Sequence, residues 1–211
     1  MLAYGNPNRT YLPYLKKETL LDSLLSELYS YTYPDNNSQQ AIDEINQLIE
    51  LTSSIENNEE AKNKFKIYDE NFEPYLISAL ANTGIPKEDI ENLIREIHDD
   101  ITPIIVKLKY NFQRIRPTQL AYMLSMRLYP YQSKSADSPS YPSGHTLQAK
   151  VYCEVLGNRY PKYYRQLQEL AKDISDSRMY LGVHYSSDCE FAIYTADLIL
   201  KHPEFKRKYR L

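Results

Sequence analysis

The chain of 211 residues has no tryptophan, 5 glycines and 2 cysteines, and these shortages exclude several architectures. Scarce glycine beside a recurrent helical periodicity argues against an all-β protein, whose turns call on glycine repeatedly. Cys153 and Cys189 make neither a disulfide framework nor a metal-ligand pattern, so two small buried thiols are expected. Nowhere do the ~18 uninterrupted apolar residues of a spanning helix occur. The two longest candidates, 101–108 and 191–200, are broken by Pro103, Lys107, Thr195 and Asp197. Residues 1–7 have no basic start followed by an apolar stretch, so no secretory signal is read. The expectation is a soluble protein without an integral membrane segment. It would be cytoplasmic if Met1 is the native start, and periplasmic or secreted if a signal has been removed. Excess positive charge is also missing. A net charge of −3 and a pI near 5.9 exclude nucleic acid as the main partner, so an anion site must be a local concentration of cations. The 21 tyrosines carry no functional reading of their own.

What is present is an apolar content of 42% in a length suited to one well-cored domain. Apolar residues recur at helical spacing through most of the chain, and the fold class expected is an all-α, single-domain helical bundle. The spacing predicts a short helix over 18–29, one long helix from 39 to about 64, and a short one over 72–82. Pro86 opens a helix running to about 112, with a kink at Pro103. Further helices are expected over 118–128, 143–158, 162–180 and from about 184 to 201, with a loop over 129–141. Residues 1–85 form an N-terminal helical extension packed on a core of residues 86–211, without a linker between them.

Three short blocks carry the chemistry: Lys109-x6-Arg116-Pro117, then Pro142-Ser143-Gly144-His145, then Ser177-Arg178-x5-His184-x3-Asp188. Ser143 can cap a helix starting at Gly144, leaving first-turn N–H groups to face an anion. His184 and Asp188, four apart, share a face of a helix, where the carboxylate would fix the ring tautomer. Lys109 and Arg116, seven apart, would lie on nearly one face of a continuous helix, offering a point charge and a planar fork. Singly, each block is weak. Pro-Ser-Gly turns commonly do no more than cap helices, His–Asp pairs sit on surfaces, and basic pairs form solvated faces. Their conjunction in one order is what points to a phosphoryl-handling site.

The order and spacing resemble the phosphatidic acid phosphatase type 2 superfamily, which includes class A acid phosphatases, membrane lipid phosphatases and vanadium haloperoxidases. The run 140–146 is most similar to the class A acid phosphatases, although Pro139 stands where they usually have glycine. The resemblance implies a metal-independent phosphomonoesterase acting on a small phosphorylated substrate through a phosphohistidine intermediate. His184 would be the nucleophile, Asp188 its orienting partner and His145 the acid and base by turns. Lys109, Arg116, Ser143, Gly144 and Arg178 would bind the phosphate. It implies no metal and no cofactor, with vanadate as a phosphate-mimicking inhibitor. A haloperoxidase, a lipid or prenyl diphosphate phosphatase, and a non-catalytic phosphate-binding or assembly protein stand as alternatives, and a homo-oligomer is left open.

Overall fold

The computed structural model describes residues 4–133 and 136–211. Met1–Ala3 of the N-terminal reading, and Lys134 and Ser135 of the expected loop, lie outside the described residues. Among the described residues the regular elements are helical, and the fold is all-α. In chain order they are α1 (Leu12–Lys16), a 3-10 turn (Asp22–Leu24), α2 (Leu25–Leu28), α3 (Gln39–Ser54), α4 (Glu59–Ala81), α5 (Lys87–Phe112) and α6 (Pro117–Met123). Then come α7 (Gly144–Arg159), a 3-10 turn (Pro161–Tyr163), α8 (Tyr164–Tyr180), α9 (Ser186–Lys201) and α10 (Pro203–Tyr209).

Helix α7 is the axis of the bundle. It packs on α5, α8 and α9 and is buried nearly all round, through Leu147, Ala149, Val151, Tyr152, Cys153, Val155 and Leu156. A helix without a polar face belongs at the centre of a core. Around it, Ile90, Ile94, Ile97, Ile101, Ile104 and Leu108 of α5 and Phe72, Leu76 and Leu80 of α4 join one continuous apolar cluster. A smaller cluster lies beneath the site, where Ala41, Ile45 and Leu48 of α3 meet Ile115, Leu120, Ala121 and Tyr185.

Several sequence expectations shift, each for a local reason. The single helix expected from 39 to 64 is two, because Asn58 accepts the Ala61 N–H and starts α4 anew. The helix expected over 72–82 does begin at a break, at Asn71, but runs on from the first half of α4 across that kink. Pro74 has no N–H to give the preceding turn, and Asn71 beside it leaves the helical region (φ −146°, ψ 32°). Pro103, by contrast, sits in α5 without interrupting it. The helix over 118–128 stops at Met123, where Ser125 turns left-handed (φ 57°). The short pattern at 18–29 condenses to the Asp22–Leu24 turn and α2, and α1 and α10 were not read from the sequence at all. Cys153 and Cys189 are free, buried thiols, with burial raising their pKa values to about 12 and about 11.

Candidate active site

The two cations of the first block do not share a helix face. Lys109 lies in the last turn of α5, which Gln113 ends in a left-handed conformation (φ 53°), its N–H bonding to the Lys109 carbonyl at 2.8 Å. The chain then reverses, and Arg116 becomes the N-cap of α6, with Pro117 as the first helical residue. The turn, rather than two helical repeats, brings the side chains together. Both are buried. Lys109 Nζ donates to the Pro139 carbonyl at 2.6 Å. The Arg116 fork donates through Nε to the Ser138 carbonyl at 2.8 Å and through one terminal nitrogen to the Val183 carbonyl at 2.9 Å.

The third block is also assembled differently from its expected helix. Helix α9 starts at Ser186 with Tyr185 as N-cap, so His184 precedes it. The pair still forms, with His184 Nδ1 2.9 Å from Asp188 Oδ2. Gly182, left-handed at φ +67°, makes the corner between α8 and this segment. A Cβ there would stand 2.9 Å from Thr52 Cγ2 and 3.3 Å from the Pro130 backbone. Arg178, fully buried near the end of α8, donates to Asp69 Oδ1 at 2.7 Å.

Ser143 caps α7 as the sequence indicates, accepting the Thr146 N–H at 3.4 Å and pairing with the Thr146 hydroxyl at 2.9 Å. Its own N–H donates to the Asp188 carbonyl at 3.1 Å, tying the second block to the third. A Cβ at Gly144 would lie 3.5 Å from Ile105 and 3.7 Å from the Lys109 stem, so α7 begins against the first block. His145 Nε2 stands 3.1 Å from the Asp69 carbonyl, with its ring 5.2 Å from that of Phe72.

All eight residues singled out in the sequence thus gather at one point. Asp188 Oδ2 also takes the Tyr185 N–H at 3.1 Å and the Ser140 hydroxyl, so His184 Nδ1 must bring the proton to that crowded oxygen. The lone pair is left on Nε2, which faces an Arg116 terminal nitrogen at 3.0 Å. Burial, then Arg116, Lys109, Arg178 and His145, hold His184 well below its ordinary pKa. Burial and Arg178 push His145 down to about 3 against the opposing pull of Asp69. Burial and Arg116 likewise depress Lys109, and burial brings Arg116 to about 10. A neutral imidazole whose Nε2 lone pair is given up by Arg116 can attack an electrophile, and three cations can hold its oxygens.

Residues 100–201 match the sequence profile of the PAP2 superfamily. Just under half of the chain is thus similar to that superfamily. A crystal structure titled as the first transmembrane PAP2-type phosphatidylglycerolphosphate phosphatase, from Bacillus subtilis, shares the fold. The TM-score is 0.57 at 20% identity, over 89% of this chain and 94% of that one. No curated protein matches the chain by sequence. Among the described residues, no helix is long and apolar enough to cross a membrane.

Sequence reasoning missed three contributors, Glu44, Asp69 and Ser140, and gave a fourth, Arg114, no role beyond local positive potential. The two carboxylates had a readable signal. Glu44 interrupts the apolar stripe Ala41, Ile45, Leu48, and Asp69 interrupts Phe65, Phe72, Leu76, so each charge points at a core.

Proposed function

We propose that this protein hydrolyses phosphomonoesters through a phosphohistidine intermediate, with no metal taking part in the step. The observation that carries the reading is the orientation of His184, whose Nδ1 is committed to Asp188 and whose Nε2 points among the cations. Lys109, Arg116 and Arg178 would clamp the non-bridging oxygens, with the start of α7 at Ser143 and Gly144 beside them. Nε2 attacks phosphorus, the bond to the ester oxygen breaks, and His145 gives that oxygen its proton. Water then attacks phosphorus from the vacated side while His145 takes one water proton, and the N–P bond breaks to free phosphate and neutral His184.

His145 must be protonated for the first step, although burial and Arg178 disfavour it. A bound phosphate dianion offsets the Arg178 charge and draws the proton on. Opposite requirements on two histidines give a bell-shaped pH–rate profile.

The test is turnover of p-nitrophenyl phosphate in EDTA over roughly pH 4–9, with orthovanadate titrated in and His184→Ala alongside. Metal-free turnover blocked by vanadate and lost in the variant is expected. Undiminished activity in the variant would remove His184 as nucleophile. The Bacillus subtilis structure, named for a phosphomonoester on a lipid, makes a dispersed phosphatidyl monoester the second substrate to assay. Vanadate-dependent bromide oxidation would instead assign the haloperoxidase alternative.

A further inference from the structure

Arg114 stands at one of the six unspecified positions of the first block, and Glu44 lies outside the residues matched to the family. Both are buried, Arg114 completely. One Arg114 terminal nitrogen donates to Asp188 Oδ1 at 2.7 Å and to the Ser187 hydroxyl at 2.8 Å. The other donates to Glu44 Oε2 at 2.9 Å. Glu44 Oε1 accepts the Ser187 N–H at 2.8 Å and the Ser186 hydroxyl at 3.0 Å, which caps the first turn of α9. The Arg114 guanidinium lies 3.7 Å from the Tyr185 ring centroid and 5.1 Å from that of Tyr33. Its carbonyl accepts the Ser140 N–H at 2.8 Å, and the Ser140 hydroxyl bonds Asp188 Oδ2. Every polar atom of the Asp188 carboxylate is therefore fixed by a residue that Arg114 or Tyr185 anchors.

We propose that Glu44 and Arg114 are positioning residues for the His184–Asp188 pair. Glu44, brought by α3, anchors Arg114, and Arg114 holds Asp188 in place while balancing its charge. This rests on the phosphohistidine reading and adds the part of the chain beyond the family core to it. A lone Asp188 would raise the basicity of His184, and an unbalanced Arg114 would lower it, so Glu44 and Arg114 set the value between them. The other titratable groups facing His184 are Arg116, Lys109, Arg178 and His145, and Arg114 is faced, besides Glu44 and Asp188, by the neutral rings of Tyr33, Tyr141 and Tyr185. Of these, only Glu44 changes in the variants below.

The experiment compares Glu44→Gln, Arg114→Met and the double variant with wild type in two readouts. The first is the pH profile of p-nitrophenyl phosphate hydrolysis. The second is the NMR titration of the His184 ring, which needs no turnover. Arg114→Met should move the acid limb and the ring titration to higher pH, and Glu44→Gln should move both to lower pH. Each should lower kcat by roughly a hundredfold with KM little changed, because the phosphate clamp is intact. The double variant should titrate between the two single ones. Where Arg114→Met does not fold, Glu44→Gln decides alone by the downward shift of the His184 ring. Ring titrations that stay put, or move together in both single variants, overturn the proposal. Wild type without turnover overturns the phosphatase reading instead, while opposite ring shifts would still uphold the positioning role.

Discussion

At the scale of single residues, the two histidines differ in what they are bonded to. His184 meets a carboxylate, Asp188, whereas the partner of His145 is a neutral carbonyl, that of Asp69. A carbonyl stabilises the imidazolium only weakly, so the pKa of His145 answers to the charge placed near Arg178. Adding inorganic phosphate should therefore raise the His145 pKa from about 3. NMR of the ring, assigned by comparison with His145→Gln, would measure it, and an unmoved midpoint would remove His145 as proton donor. Those two histidines and three cations were legible in the sequence because three individually weak blocks stand in the order and spacing of a phosphatase superfamily. Asp69 and Glu44 left only a trace, a charge within an apolar stripe, because the guanidinium each one meets is decided only after α3 and α4 fold onto the core.

At the scale of elements, the helices were easier to place than their ends. The apolar stripes of α3, α5 and α8 follow a helical repeat that any reading of the sequence finds. The ends depend on which polar side chain captures which N–H, as Asn58 and Ser38 do for α4 and α3. Those ends matter most here, since Arg116 and His184 both sit just before a helix rather than within one. Gly182 is the corner on which the second of them depends. Gly182→Ala would add about 1–2 kcal/mol of left-handed backbone strain, together with the Thr52 contact at 2.9 Å. The expected result is a lower urea midpoint and a larger proportional loss of activity, since Val183, an anchor of Arg116, is displaced with it. An unaltered midpoint would show that the corner relaxes without cost.

Over the whole molecule, the depressed histidines make stability depend on pH. In the unfolded chain both titrate near the ordinary value of 6.5, while the folded state holds His145 to about 3 and His184 well below 6.5. Below 6.5 the unfolded state binds more protons, so stability is lost as pH falls through this window, by about 1.4 kcal/mol per pH unit for each histidine. Urea unfolding at about pH 7.5 and about pH 5.5 should show that loss, and saturating phosphate should reduce it. A flat stability across the interval would mean that the histidines take up protons in the fold as readily as in the unfolded chain. The cradle has one more consequence. Its donors already hold oxygens of the protein: Pro139 for Lys109, Ser138 and Val183 for Arg116, Asp69 for Arg178. On the proposed function, phosphate capture would be a ligand exchange, its affinity the difference between two sets of bonds rather than the sum of one. The exchange also runs backwards. When product departs, each donor has a resident acceptor to return to, so the grip can open without stranding buried charge. Such a site would suit turnover better than storage, in line with the proposed function.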